Sequence, residues 1–418
     1  MRRRWLLSLL AIACALPPIV SAKEAGTLKL EIVLMRHGVR SPTSAPEALG
    51  KYSREAWPAW PVEPGVLTEH GVQGMQSLGQ HYRERFRTIG LWNGDCATAS
   101  QVVVIADSTP RNRDSAAALN KGLGADCGLG FYARPSGENN RLFHYQPKDS
   151  DDADDAQVDG KPPAALSLLQ DILLGCSGDD CRKAALADGK KLLLDDPAGG
   201  LSRAMKTAGS LSENLMLEYA QGMPLANVAW GKGDAATIGR LIELHNLQFA
   251  QSKKPLPLAQ KSASNLLAHI VATLDAASGK PGEVEALSDD RARVVFLIGH
   301  DTNLAQIGGL LGTQWHSAAQ PDDYPPGGAL VFDLWEKQGR YTVQVHALLP
   351  TLEALHNADV GHAHDVVDVP VALGDCHATT PCPIDTFRRW TTKRILSSEV
   401  EAKIPEMLRS ASVPGEGR

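Results

Sequence analysis

The stretch Glu31-Ile-Val-Leu-Met-Arg-His-Gly-Val-Arg-Ser-Pro-Thr43 constrains this chain more than any other. A mostly apolar run from Leu28 to Met35 stops at Arg36-His37-Gly38, with Arg40 and Pro42 just beyond. An apolar run of this length, ended by a turn signal, reads as a strand buried in a sheet. In open α/β sheets chemistry gathers at the carboxyl ends of strands, which is where His37 falls. Gly38 removes a side chain beside the imidazole, so a substrate is expected to approach the backbone there. Arg36 and Arg40 flank the histidine with fork-shaped, permanently charged donors suited to phosphate oxygens. A structural core histidine does not need two arginines at a glycine turn.

A second strand-to-turn junction carries matching chemistry: Val294-Val-Phe-Leu-Ile-Gly-His-Asp-Thr-Asn303 ends a buried run in His300-Asp301. The first stretch matches Arg-His-Gly-x-Arg-x-Pro, the signature that it shares with the histidine acid phosphatases, and that family pairs it with a distant His-Asp at another strand end. The chain therefore resembles this family. Further segments, Trp57-Pro-Ala-Trp-Pro-Val62, Ala220-Gln-Gly-Met-Pro224, Leu244-His-Asn-Leu-Gln-Phe249 and Gln320-Pro-Asp-Asp-Tyr-Pro-Pro-Gly-Gly328, are similar to its branch of bacterial periplasmic acid phosphatases, 4-phytases and glucose-1-phosphatases. The resemblance covers most of residues 28–375. It implies a phosphoglycerate-mutase-like α/β core, with a central mixed, mainly parallel sheet flanked by helices, and an inserted, mostly helical cap.

Length and composition fit such a protein. The chain has 418 residues, 43% hydrophobic and 22% charged, with a net charge of −6. That is ordinary for a globular protein and argues against a nucleic-acid partner. Arg2-Arg3-Arg4, the apolar Trp5–Ala15 and the small residues Val20-Ser21-Ala22 read as a signal peptide over residues 1–22, implying export to the periplasm. Cys14 is a poor lipoprotein site, and no later run is long enough for a membrane span. The six remaining cysteines are an even number in an exported chain, which reads as disulfides with fifteen possible connectivities. Local spacing suggests Cys176–Cys181 and Cys376–Cys382, leaving Cys96–Cys127, a pattern that also resembles pairs in enterobacterial relatives.

Thr68 looks like the N-cap of a helix running to Arg87. Val102–Ala106 is a second buried strand, leading into Asp107-Ser-Thr-Pro-Arg-Asn-Arg-Asp-Ser115 and an Ala-rich helix. Asp149 to Asp159 is an acidic loop, without the spacing of a calcium site. Helical periodicity recurs at Ala164–Leu174, Leu201–Gln221, Ala236–Ala250 and Ser262–Ala277. Strands are expected at Val294–Ile298, Ala329–Trp335 and Tyr341–Leu349. Pro325-Pro-Gly-Gly328 is a loop whose backbone is expected to face a ligand. The expected division is a signal peptide 1–22, an α/β core over 23–140 and 286–418, and a helical cap over 141–285.

Phosphomonoester hydrolysis requires a nucleophile, a clamp for the phosphoryl oxygens and an acid for the leaving group. His37 is the expected nucleophile, forming a phosphohistidine, with the guanidiniums of Arg36, Arg40 and Arg111 keeping it neutral in acid. Asp301, taken as an ordinary carboxyl of pKa about 3.9, is the expected general acid, and His300 a donor to a phosphoryl oxygen. Arg111 is carried over from the family's second arginine turn, with Arg113 as its neighbouring alternative. The resemblance also puts Thr43, Glu213 and His245 in the substrate pocket. Phytase members carry a Lys where this chain has Ser44, and an Arg that falls on Ser262, beside Lys261; both departures weaken the expectation for phytate. Gly361-His-Ala-His-Asp365 is a weak metal motif, and the expected chemistry needs no metal or other cofactor. The chain is thus expected to be a monomeric, metal-independent acid phosphatase acting on a small phosphomonoester. A non-catalytic phosphate-binding protein and a phosphotransferase of the phosphoglycerate mutase type are the alternatives.

Overall fold

The computed structural model describes residues 26–92, 96, 101–143, 161–194, 200–362, 364–374, 376 and 381–411. The expected signal peptide, Cys14 and the acidic loop 149–159 lie outside them. Strand β1 spans Thr27–Arg36 and is followed by the short helix α1, Pro46–Leu49, and by α2, Glu69–Thr88. Then come β2 Val102–Ala106, α3 Pro110–Gly124 and β3 Gly130–Ala133. A helical stretch holds α4 Ala164–Leu174, α5 Asp179–Ala187, α6 Gly200–Ala220, α7 Ala235–Ser252 and α8 Leu256–Ala277. The chain continues with β4 Val294–Gly299, α9 Asp301–Leu311, β5 Ala329–Lys337 and β6 Arg340–Pro350. It closes with α10 Leu352–Asn357, β7 Val366–Pro370, β8 Cys382–Pro383, α11 Ile384–Thr392 and β9 Leu408–Ala411.

Among the described residues the strands form one mixed sheet, in the order β7-β6-β5-β1-β4-β2-β3-β9, with β8 beside β6. Only the centre, β1-β4-β2-β3, is parallel. The flanks are antiparallel, so the mainly parallel sheet expected from the sequence is corrected. One of these pairings is set by a turn: Gln338 and Gly339 both have positive φ, 54° and 74°, the geometry of a two-residue hairpin that makes β5 and β6 antiparallel.

β1 is central because both its faces are apolar. Leu30, Ile32 and Leu34 enter a core with α8, α9 and α11, while Val33 and Met35 enter another with α2 and α3. Each of these side chains contributes about 1.5–3 kcal/mol by leaving water. A third core joins α4, α6 and α7, through Leu169, Leu215 and Leu241, to Val39, Leu49 and Trp57 of the segment after β1. Helix α8, by contrast, packs on the sheet through Leu266, Leu267 and Ile270. It starts at Leu256 rather than at Ser262, because Pro255 and Pro257 are tolerated where a first helical turn has no N–H bonds to lose.

Helix α2 is seated against the end of β1. Thr68 caps it, its hydroxyl accepting from Gly71 N at 2.9 Å, a cap worth about 1 kcal/mol. Gly71 lies so close to the chain that a Cβ there would come within 2.1 Å of Val39 O. Gly38 serves the same packing: a Cβ on it would meet Met75 Cγ at 2.7 Å and Gly71 O at 3.0 Å. The space beside Gly38 is thus filled by α2, and the expectation that it admits substrate is corrected. Three disulfides, Cys96–Cys127, Cys176–Cys181 and Cys376–Cys382, have Cα–Cα distances of 5.2, 5.8 and 5.3 Å. No helix among the described residues is long and apolar enough to cross a membrane.

Candidate active site

Parallel pairing brings three strand ends together. Arg36 is opposite Gly299, and Ala106 opposite Ile298. His37 N donates to Gly299 O at 3.0 Å, and Asp107 N to Ile298 O at 3.0 Å. His37, His300 and Asp107 therefore share one edge of the sheet, at the N-terminal ends of α3 and α9. Asn112 ties the junction by donating to both Ile298 O and Gly299 O.

His37 is buried, and its Nδ1 is 2.8 Å from Gly38 O. A carbonyl only accepts, so Nδ1 carries the proton and the lone pair is left on Nε2. Burial lowers the His37 pKa well below the usual value, and Arg111, Arg36, Arg40 and His300 lower it further. The sequence pointed to the guanidiniums alone; burial is the larger cause. The His37 and His300 rings meet edge to face, with centroids 5.5 Å apart.

The arginines are individually held. Arg36 is fully buried; it donates to Tyr324 O, pairs with Glu213, and lies 3.0 Å from Asp301 Oδ2 and 3.7 Å from Asp322 Oδ2. Arg40 Nη2 lies 3.0 Å from Glu213 Oε1. Arg111 Nη2 is 3.3 Å from His300 Nδ1, whereas Arg113 donates to Arg134 O at 2.9 Å and lies over Phe131. Arg111 is therefore the arginine turned toward the histidines. His300 Nε2 is 2.7 Å from Asp107 Oδ2.

Asp301 departs from the ordinary carboxyl expected. Burial pushes it up, but Arg36, His245, Arg40 and His300 outweigh burial and hold it well below the usual range. Glu213 on α6 is likewise lowered, Arg40 and Arg36 overcoming its burial. His245 on α7 is buried against Phe249, with ring centroids 4.1 Å apart and Nδ1 3.7 Å from Asp322 Oδ1. Its pKa is raised: burial opposes the charge, but Asp322 prevails. Thr43 is exposed, and its Cγ2 and Arg111 Nη1 both lie beside Gly65. Pro325-Pro-Gly-Gly328 does not present its backbone to a ligand as expected. Gly328 O accepts from Arg36 N, and Gly327 N donates to His37 O.

Two residues escaped the sequence reading. Asp322, in the Gln320–Gly328 segment, lies between Arg36 and His245, and Asp107 lies behind His300. The signal for Asp107 was its place directly after β2; for Asp322 it was only membership of the family-like Gln320–Gly328 segment, which does not reveal partners distant in sequence. Ligand atoms of Glu213, His245 and Asp301 lie within 4.8 Å of one another, close enough for a metal ion. Arg36 and Arg40 already occupy those carboxylates, which disfavours a further cation.

An arrangement of one neutral imidazole, three guanidiniums and a nearby carboxyl suits transfer of a phosphoryl group. Comparison with known proteins agrees. The family described as histidine phosphatase superfamily (branch 2) matches residues 27–187. Phytase AppA of Escherichia coli K12 is 30% identical over 375 residues, covering 82% of this chain and 85% of its own. Glucose-1-phosphatase of Providencia rettgeri is 25% identical, covering 86% and 90%. Among solved structures, Hafnia alvei phytase in complex with tartrate superposes with a TM-score of 0.77 at 28% identity, covering 90% of this chain and 99% of that one. With motif, geometry and a relative aligned over most of both chains in agreement, this chain belongs to the histidine phosphatase superfamily, branch 2.

Proposed function

We propose that this chain is an exported, metal-independent acid phosphatase that forms a phosphohistidine on His37, with Asp301 as its general acid. Membership of the family makes it a phosphomonoester hydrolase; the mechanism and the residue roles are our inference. The observation that carries it is the His37 tautomer: Gly38 O holds the proton on Nδ1, and burial among Arg111, Arg36 and Arg40 keeps Nε2 unprotonated in acid.

In this scheme Arg36, Arg40, Arg111 and His300 bind the phosphoryl oxygens. The Nε2 lone pair attacks phosphorus, the P–O ester bond breaks, and the leaving oxygen takes a proton from Asp301. Asp301 is ionised while Arg36 holds it. A phosphate group drawing off that guanidinium, and adding its own negative charge, raises the carboxyl, so Asp301 is protonated when substrate is bound. The resulting carboxylate then takes a proton from water, which attacks phosphorus and breaks the P–N bond to release inorganic phosphate.

In this proposal the cap, expected over 141–285, is narrowed to helices α4–α7, because α8 packs on the sheet; their packing on Val39 and Glu213 and His245 reaching into the site support it. Three disulfides favour an oxidising compartment and hence export. The relatives are a phytase and glucose-1-phosphatases. By the resemblance read from the sequence, Ser44 and Ser262, the latter beside Lys261, fall where phytases carry Lys and Arg, which favours singly phosphorylated substrates over phytate.

The test is phosphate release from p-nitrophenyl phosphate, glucose 1-phosphate and phytate in acid, with EDTA, beside His37→Ala. Turnover that survives EDTA and disappears in the variant is expected. Activity lost to EDTA, or kept by the variant, would refute the scheme.

A further inference from the structure

Behind the residues that face the proposed phosphate site stands a carboxylate with no role in the scheme above. Asp107 is fully buried, and its Oδ2 lies 2.7 Å from His300 Nε2. The two residues belong to different strand ends, set side by side by the register of β2 against β4. A carboxylate only accepts, so this contact puts a proton on Nε2 and turns Nδ1 toward the site.

What Nδ1 then does depends on what faces it. Arg111 from α3 lies 3.3 Å away, His37 from β1 stands edge-on at 5.5 Å, and Asp301 is the next residue along the chain. Arg111 has only donors, so beside it Nδ1 is an acceptor and the ring is neutral. A phosphoryl oxygen in the same place reverses the demand, because it needs a donor. A second proton, taken from solvent, makes Nδ1–H that donor, and the imidazolium is then bracketed by Asp107 on one side and the phosphate on the other.

We propose that Asp107 is a positioning residue of the phosphate site, which fixes the tautomer of His300 and stabilises the proton that Nδ1 gains when a phosphate dianion binds. On release of phosphate that proton returns to solvent, and Asp107 stays ionised throughout. The proposal rests on the phosphatase function above and adds a residue to it.

Asp107→Asn keeps an acceptor of the same shape and removes the charge. A carboxylate this close to a histidine shifts its protonation by about 1–3 pH units. The deficit of the variant in kcat/KM is therefore expected to grow at least about tenfold between about pH 4 and about pH 7. A merely structural role would lower activity equally at both. The proton is read directly by titration calorimetry with sulfate, dianionic across this range, in two buffers of different ionisation enthalpy. Wild type is expected to take up more protons on binding sulfate than Asp107→Asn. His300→Gln, which lacks the titrating ring, must also take up fewer and serves if Asp107→Asn does not fold.

Equal deficits at both pH values, or equal proton uptake by wild type and either variant, overturn the proposal while turnover by wild type, absent in His37→Ala, leaves the phosphatase function standing. No turnover by wild type overturns that function, and the sulfate titration then decides Asp107 alone: unequal uptake supports its role, and equal uptake or no binding refutes it.

Discussion

Replacing Glu31 by glutamine tests whether this fold is stabilised by protons. Glu31 sits in the middle of β1, fully buried, directly across from Asp333 on β5 and paired with Arg85 of α2. Asp333 lies 3.4 Å from His346 Nε2, and His346 Nδ1 lies 2.8 Å from Asp368. Three carboxylates thus share two cationic partners, with the Tyr82 ring nearby. Burial and then Asp333 push Glu31 from 4.5 up to about 8, against the pull of Arg85 and His346. His346 is raised from 6.5 to about 9; burial opposes this, but Asp333 and Asp368 prevail.

Both groups hold a proton more tightly when folded than when unfolded. Stability from Glu31 is therefore complete below about pH 4.5 and lost as pH rises toward about 8. That from His346 is lost between about 6.5 and about 9. For Glu31 the shift corresponds to a ceiling of about 5 kcal/mol. Glutamine mimics the protonated acid, so Glu31→Gln is expected to match wild type within about 1 kcal/mol in acid. At pH 8 and above it is expected to be the more stable by at least about 2 kcal/mol. Denaturant unfolding with disulfides intact, at acid and at alkaline pH, measures the difference. A variant equally destabilised at both would show that the ionised Glu31–Arg85 pair dominates, and would refute the reasoning. The expected outcome suits the acid working range proposed for this enzyme.

Two further outcomes follow from the packing. Gly71→Ala drives a Cβ to 2.1 Å from Val39 O, between two backbones that cannot yield, whereas Gly74→Ala meets nothing nearer than 3.9 Å. The first is expected to cost about 1–3 kcal/mol or more and to cut kcat by displacing His37, while the second gains about 0.5–1 kcal/mol. Equal melting temperatures and activities for the two would refute the contact. Glu213→Gln removes a charge that engages both Arg36 and Arg40. Inorganic phosphate is expected to inhibit this variant more tightly, by about three- to tenfold, an effect of about 1 kcal/mol; unchanged or weaker inhibition would refute competition between Glu213 and phosphate for these arginines.

Much of the fold was legible because its signals are local. Thr68 marks the start of α2 by a cap, Val102–Ala106 is a strand to the residue, and Ala164–Leu174 is a helix to the residue. Elements that escaped have no such signal. β3 and β9 are four residues each: β3 meets β2 through a single registered pair, and β9 is an edge strand whose partner β3 is far away in sequence. Helix α8 began inside a proline-rich stretch that reads as a breaker unless one knows it to be a first turn.

By itself the sequence determined a buried strand ending in Arg36-His37-Gly38, a second ending in His300-Asp301, and with them the chemistry on offer. Those features are covalent neighbours, and periodicity and turn residues report them directly. Only the tertiary structure decided which charges meet. Asp301 is held low because Arg36 folds against it, Asp107 backs His300 because β2 and β4 end together, and Asp322 joins Arg36 to His245 across a loop. Electrostatics in a site depends on distance and burial rather than on order along the chain, and distance and burial exist only once the chain has folded.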